Sequence, residues 1–282
     1  MHVVTVEEPR RFVDLVRPLL MADEPRHNLM LGIIGTLVTH PDVHPEFHLW
    51  AVEDGGRAVA AASMTPPFNL LVCRPQQVGA LAALAGSIHR QGITLPGVTG
   101  AVPEVDGFVR EWTRLSGATA RRRMAQGVYR LESVRAGGDV AGRMRLAVEG
   151  DRQLLMSWIQ DFTAEALDET AVTRSEQVVG RRLRGDGGFA FWEDDGPVSL
   201  AGWGGETPNG VRIGPVYTPP ALRGRGYAGA LVSELSARLL SEGRRFCFLY
   251  TNLANPVANR LYERVGYERV CESIDYELVP EL

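Results

Sequence analysis

Arginine and glycine alternate at Arg223-Gly224-Arg225-Gly226, between a strand-like run that ends near Thr218 and an amphipathic stretch that starts at Tyr227-Ala228. Glycine at a strand-to-helix junction lets the backbone approach a ligand closely, because no Cβ stands in the way. The first turn of a helix carries N–H groups without intrahelical partners, and the helix dipole favours an anion there. Two guanidinium groups add charge and forked hydrogen bonding. Phosphate or pyrophosphate is the ligand such a segment suits best. No Gly-Lys-Ser/Thr follows, so it is not a P-loop. A dinucleotide fingerprint needs a third glycine and falls in the first strand–helix unit of its domain, whereas this segment comes late. Taken alone, Gly-x-Gly before a helix also fits a plain tight turn.

Two stretches together carry a family resemblance. Arg223-x-x-Gly226-x-Ala228 matches the Arg/Gln-x-x-Gly-x-Gly/Ala signature of the GCN5-related N-acetyltransferase (GNAT) superfamily, and Ile213-Gly214-Pro215-Val216-Tyr217-Thr218-Pro219 resembles the fourth strand of that family. Independently, Asn255-Pro256-Val257-Ala258-Asn259-Arg260-Leu261-Tyr262-Glu263-Arg264-Val265-Gly266-Tyr267 is similar to its Asn-x-x-Ala-x-x-Leu-Tyr-x-x-x-Gly-Phe/Tyr segment. The resemblance implies acetyl-CoA as cosubstrate. It makes Arg223, Gly224, Arg225, Gly226, Tyr227 and Ala228 the pyrophosphate clamp, and the backbone of Val216, Tyr217 and Thr218 the contact for the pantetheine arm and thioester oxygen. It further places Asn255 on the pantetheine arm and Tyr262 near the sulfur as the catalytic group. A thiolate leaving group needs a proton or a hydrogen bond, and a phenol on a helix can supply either. The bland reading of Tyr262 and Tyr267 is core packing.

The remaining roles stay open. Glu206, Glu165 and Asp161 are candidates for the base that deprotonates the amine, and none is assigned; each also reads as a solvated surface carboxylate. His40, His44 and His48 recur every four residues, but Pro41 and Pro45 oppose a helix there, so no metal site is expected. Trp192, Trp203 and Phe191 read as core beside the cleft, or as one wall of an acceptor pocket.

The elements that must hold these groups form an order that occurs twice. Strand, two helices, three strands, helix, strand, helix and strand can be traced loosely from His2 to Glu132, and more sharply from Arg143 to Leu278. Ala136-Gly137-Gly138-Asp139 between them has linker composition. The expectation is an α/β (α+β) protein of two tandem GNAT-like domains, each a mixed, mostly antiparallel sheet flanked by helices. Residues 1–135 form a copy without the cofactor motif, 136–142 the linker and 143–282 the catalytic domain.

Composition is consistent with this. At 282 residues the chain exceeds one ordinary domain, and its 45% hydrophobic and 23% charged residues are those of a soluble globular protein. Its 30 basic residues are all arginine, which removes lysine chemistry. A net charge of -4 gives no electrostatic reason for nucleic-acid binding. No apolar run reaches membrane-spanning length, no secretory pattern opens the chain, and three scattered cysteines make no disulfide framework, so a cytoplasmic location is expected. The function expected is acetyl transfer from acetyl-CoA to a primary amine of a small molecule or peptide. Use of another acyl-CoA, a non-catalytic acyl-CoA sensor, and an adaptor without coenzyme A are the alternatives.

Overall fold

The computed structural model describes residues 1–135, 140–166 and 175–281. The expected linker residues 136–139 lie outside the described residues. Two compact units emerge. The first comprises Met1–Val128, Thr251–Asn255 and Arg269–Leu282, and the second comprises Tyr129–Tyr250 and Pro256–Glu268.

In the first unit the chain runs β1 (His2–Thr5), α1 (Pro9–Met21), α2 (Glu24–Thr39), β2 (His48–Asp54), β3 (Arg57–Met64), β4 (Leu70–Val72), α3 (Ala80–Arg90), β5 (Gly97–Ala101), α4 (Glu104–Ser116) and β6 (Thr119–Leu131). Strands β1 to β4 pair antiparallel in sequence, and β4 then pairs parallel with β5, the connection being made through α3. Phe12, Val16, Leu19 and Leu20 recur on one stripe of α1 and are buried against Leu49, Ala51 and Ala61 on one sheet face. On the other face Leu84, Ile88, Phe108 and Trp112 of α3 and α4 cover Trp50, Ala60 and Ala62. Each large apolar side chain so buried contributes about 1.5–3 kcal/mol.

The chain continues with β7 (Arg143–Leu146), α5 (Arg152–Ala166), α6 (Ser175–Leu183), β8 (Gly188–Glu193), β9 (Pro197–Gly204), β10 (Gly210–Tyr217), α7 (Tyr227–Ser241), β11 (Phe246–Asn252) and α8 (Pro256–Val265), which make up the second unit save for Thr251–Asn255, and ends on β12 (Glu268–Val279). Strands β7 to β10 again pair antiparallel in sequence, and β10 pairs parallel with β11 through α7. Side chains alternate between two cores. Ala190, Trp192, Ala201, Val211 and Ile213 pack with α7 and α8, while Phe189, Phe191, Leu200 and Tyr217 pack with α5 and α6. Among the described residues no helix is long and apolar enough to cross a membrane.

The units cross the expected boundary in both directions, with Tyr129 onward in the second unit and Thr251–Asn255 and Arg269–Leu282 in the first. The sequence reading gave all of 143–282 to the second domain. Strand β12 instead pairs antiparallel with β5, Ser273 opposite Ala101 and Glu277 opposite Gly97, so Arg269–Leu282 groups with the first unit. Its Ile274 and Leu278 fill the core of that unit. A strand's own pattern shows that it has a buried face but not which sheet it joins.

Candidate functional site

Strand β10 is interrupted where the sequence places Gly214-Pro215. It pairs with β9 as Arg212 to Gly204 and Ile213 to Trp203, shifts register, and resumes as Val216 to Ala201 and Tyr217 to Leu200. Such a bulge removes backbone groups from the ladder and increases the local twist. On the other edge the parallel ladder joins Gly210–Arg212 to Phe246–Phe248, although β10 runs on to Tyr217. Val216 therefore lies beyond the paired part of that edge. The Tyr217 side chain is buried against Trp158, with ring centroids 6.1 Å apart, which leaves only its backbone for a ligand. Burial beside Asp161 and Glu165 raises its phenol pKa. Thr218 Oγ1 lies 2.8 Å from Ser199 Oγ, and its carbonyl accepts from Arg223 Nε at 2.8 Å.

Past Thr218 the chain makes one 3-10 turn at Pro220–Leu222 and enters the Arg-Gly-Arg-Gly segment. Gly224 and Gly226 hold φ of +80° and +87°, the left-handed region that side chains avoid. Gly226 is the N-cap of α7, and no side chain caps that helix. Among the described residues the N–H groups from Gly224 to Gly229 have no protein acceptor; the first bonded one is Ala230, which donates to the Gly226 carbonyl at 3.1 Å. Successive unpartnered amides at the positive end of a helix form an anion nest. Tyr227 anchors the turn from below: it is buried, and its hydroxyl donates to Asp194 at 2.5 Å, which raises its pKa. Ala228 is next on α7, where its small side chain leaves the nest open.

Arg223 is the residue in this segment with a prior engagement. Its Nη2 contacts both oxygens of Glu165, at 2.9 and 2.6 Å, in an exposed ion pair, and the guanidinium lies 5.8 Å from the Tyr217 ring centroid. Arg225 is exposed at the loop tip. Asn255 immediately precedes α8, its N–H donating to the Asn252 carbonyl at 2.9 Å.

Tyr262 faces inward from α8 and is 9% exposed. Its ring meets Tyr267 edge-on at 6.0 Å. The two hydroxyls differ. Tyr267 bonds Ser236 Oγ at 2.9 Å, whereas the Tyr262 hydroxyl makes no hydrogen bond among the described residues. Burial pushes the Tyr262 phenol up to about 12, so it holds its proton at neutral pH and is able to donate it. Both readings of Tyr262, core packing and catalytic donor, are thus compatible with one placement: a buried ring with an unengaged hydroxyl.

Of the carboxylates considered as base, Glu165 pairs with Arg223 and Glu206 pairs with Arg244, while Asp161 helps raise the Tyr217 phenol pKa. Pro41–Val43 forms a 3-10 turn and His48 begins β2, so His40, His44 and His48 do not share a helix. Phe191 and Trp192 are buried on opposite faces of β8, and Trp192 Nε1 donates to the Ala141 carbonyl at 2.8 Å.

Sequence reasoning missed two groups. Asp194, in the β8–β9 turn, fixes Tyr227, and nothing in an Asp-Asp-Gly-Pro turn announces that partner. Arg182 reaches from α6 to the bulge, where Nη1 donates to the Gly214 carbonyl at 2.7 Å. Within Arg181-Arg182-Leu183-Arg184 no local signal separates it from solvated neighbours.

Comparison with known proteins bears on this arrangement. Residues 191–274 match the family model described as FR47-like protein, and no curated protein matches the sequence. A GNAT-family acetyltransferase from Colwellia psychrerythraea is similar over 100% of both chains, with a TM-score of 0.59 and 13% identity. A GCN5-related N-acetyltransferase from Sphaerobacter thermophilus aligns over 99% of this chain and 96% of its own, with a TM-score of 0.63 and 18% identity. A tandem GNAT protein from the clavulanic acid biosynthesis pathway aligns over 99% and 98%, with a TM-score of 0.61 and 14% identity. The chain has the tandem GNAT fold. The GNAT fold thus accounts for the repeated meander with one parallel step. At these identities the likeness is one of architecture, and the chemistry rests on the residues described above.

Proposed function

We propose that this tandem GNAT-fold chain is an acetyl-CoA-dependent N-acetyltransferase acting on a primary amine. The observation that carries the reading is the run of unpartnered amides from Gly224 to Gly229 at the start of α7, reached directly from the bulged end of β10. In this reading the amides and Arg225 hold the pyrophosphate, with Arg223 released from Glu165 to join them. The backbone from Val216 to Thr218 orients the pantetheine arm, and Asn255 bonds to it. Acetyl-CoA supplies an activated thioester; the protein's task is to orient it against the amine and to meet the charge that develops. Tyr262 donates its hydrogen bond or proton to the departing thiolate. With Glu165 and Glu206 held in ion pairs, the amine loses its proton to solvent. The cysteines are free, which suits a reducing compartment such as the cytoplasm.

Tyr262→Phe tests the chemistry. Acetyl transfer, followed by release of free thiol, should fall in kcat by about tenfold to a hundredfold, within the range for loss of a general acid, while acetyl-CoA affinity changes little. Turnover and melting temperature are measured on the same preparation. A variant with full kcat would reduce Tyr262 to packing.

A further inference from the structure

Two residues of β10, Gly214 and Pro215, stand opposite one residue of β9, Gly202, where the ladder steps from Ile213–Trp203 to Val216–Ala201. A bulge of this kind takes its extra residues out of the ladder, and Pro215 has no N–H to offer in any case. The Gly214 carbonyl turns instead to Arg182 of α6, which donates to it from Nη1 at 2.7 Å. Glycines on β9 leave room for this contact. A Cβ at Gly202 would run into Arg182 Nη1 and lie 3.0 Å from the Gly214 carbonyl oxygen, and one at Gly204 would lie 3.2 Å from Arg182 Nε. Across the β8–β9 ladder Gly202 faces Phe189, whose ring centroid is 5.1 Å from the guanidinium. Arg182 thus lies across β9 over a glycine, from Phe189 of β8 to the bulge of β10.

The contact spends a charge where a neutral donor would serve packing as well. Arg182 is partly buried and makes no ion pair among the described residues; Asp186 pairs with Arg181 at 3.2 Å. Burial, then repulsion from Arg212 and Arg181, lowers its pKa, and Asp186 offsets this only in part. An arginine stays charged through such a shift, so the fold carries an uncompensated cation here at a cost in stability. A costly group fixed on a strand bulge is the pattern of a functional constraint rather than of packing alone.

We propose that Arg182 is a positioning residue for acetyl transfer: by holding the Gly214 carbonyl it fixes the bulge that turns the backbone of Val216–Thr218 toward the thioester. This rests on the N-acetyltransferase reading and adds to it the side chain that sets the geometry of the strand end. Arg182 acts through the Gly214 peptide, two residues before Val216, and not on the cosubstrate itself. The far end of the segment is held separately by Ser199, whose hydroxyl donates to the Tyr217 carbonyl at 3.2 Å and lies 2.8 Å from Thr218 Oγ1. With both ends held, the thioester meets a backbone already in place, and orientation of that kind supplies a large share of a barrier's reduction. Loss of the Arg182 contact lets the bulge relax and leaves the pyrophosphate nest at α7 as it is.

The test compares the unaltered chain with Arg182→Met, which keeps length and apolar packing, and Arg182→Lys, which keeps the charge. Acetyl-CoA isotope-labelled at its acetyl carbonyl reports the thioester by infrared difference spectroscopy and needs no acceptor. In the unaltered chain the bound band should be narrow and lie below that of free acetyl-CoA. In Arg182→Met it should broaden and return toward the free position, and in Arg182→Lys it should be largely restored. The acetyl-CoA-induced rise in melting temperature should persist in all three, because the nest is untouched. Thiol release with a panel of primary amines (the proteinogenic amino acids, putrescine and spermidine) should show kcat lower by about ten- to a hundredfold in Arg182→Met, with the KM for acetyl-CoA nearly unchanged and Arg182→Lys well above it in kcat. If no amine of the panel turns over, the infrared band decides. If Arg182→Met does not fold, Arg182→Gln takes its place; failure of both makes Arg182 structural and overturns the proposal. A band in the neutral variant identical to that of the unaltered chain, or Arg182→Lys no better than Arg182→Met, overturns it too. A bound band at the free position in the unaltered chain does the same and leaves the cosubstrate site standing. No melting shift and no bound band in the unaltered chain removes the N-acetyltransferase reading itself, and this proposal with it.

Discussion

The proposed function asks Arg223 to reach a pyrophosphate, yet its guanidinium faces Glu165, with 47% and 45% of the two side chains exposed. An exposed pair of this kind contributes about 0–1 kcal/mol, less than a charge-assisted contact to a pyrophosphate in the nest beside it. Under the proposed function Glu165 is therefore a weak competitor for the guanidinium. Glu165→Gln removes that competition, and the affinity for acetyl-CoA should rise about two- to fivefold, which is RT ln of that ratio and so within the worth of the pair. Calorimetric titration at low and moderate salt checks this. A weaker affinity in the variant would show that the pair orders the loop instead. At this scale the sequence singles out a residue only where a motif names it, as at Gly226 and Tyr262. It was silent at Arg182, whose contact with the Gly214 carbonyl only the fold brings about.

Helices α7 and α8 meet through polar groups that burial keeps neutral. Tyr262 and Cys247 are each pushed up to about 12, and Tyr267 is raised well above the ordinary phenol value of 10.0, all first by burial. Ser236 links them, bonding Tyr267 at 2.9 Å and offering its carbonyl to the Cys247 thiol at 3.9 Å. A group whose folded pKa lies above its unfolded one holds its proton more tightly when folded. The stability this supplies is complete below the unfolded pKa and is lost as pH rises through the folded one. For Tyr262 the window is pH 10 to 12, and the loss is on the order of 3 kcal/mol. Urea midpoints should therefore be flat near neutrality and fall steeply above pH 9 to 10, less steeply in Tyr262→Phe; a midpoint unchanged to pH 11 would contradict this. Element boundaries were legible where pattern and caps agree, as for Arg57–Met64, Glu104–Ser116, Arg152–Ala166 and Pro256–Val265. Strand Gly97–Ala101 was not, because Gly97 and Gly100 give it little apolar pattern. Helix α2 starts at Glu24 because Asp23 caps it, its side chain accepting from the Arg26 N–H at 3.4 Å. Helix α3 starts at Ala80 because Gly79 turns left-handed, with φ of +85°.

The tandem architecture raises the question of how many cosubstrates one chain binds. The first unit repeats the strand order and begins α3 from a glycine in nearly the conformation of Gly226. Its loop differs in what the amides do. Gln76 N–H donates to the Val59 carbonyl at 2.7 Å and Ala80 N–H to the Gln77 carbonyl at 3.4 Å. The Met1 methyl group lies 3.7 Å from where a Gly79 Cβ would stand. Arg74, the nearby cation, faces Asp23 at 4.0 Å and Glu104 at 3.8 Å. Among the described residues the unpartnered run there is shorter, Gln77 to Gly79, and is bounded by the bonded Gln76 and Ala80. The repeated element order was legible in the sequence, as was the missing motif in the first half. The allegiance of β12 was not, because pairing between strands far apart in sequence leaves no local signature. The central claim is that one anion nest, Gly224 to Gly229, holds acetyl-CoA. Calorimetric titration of the full chain with acetyl-CoA, beside Gly226→Asn, tests it most directly. Asparagine tolerates the left-handed backbone, so the loop can keep its path while a side chain enters the nest. The account predicts one acetyl-CoA per chain for the unaltered protein and no measurable binding for the folded variant. Two per chain, none at millimolar ligand, or undiminished binding by Gly226→Asn would contradict it.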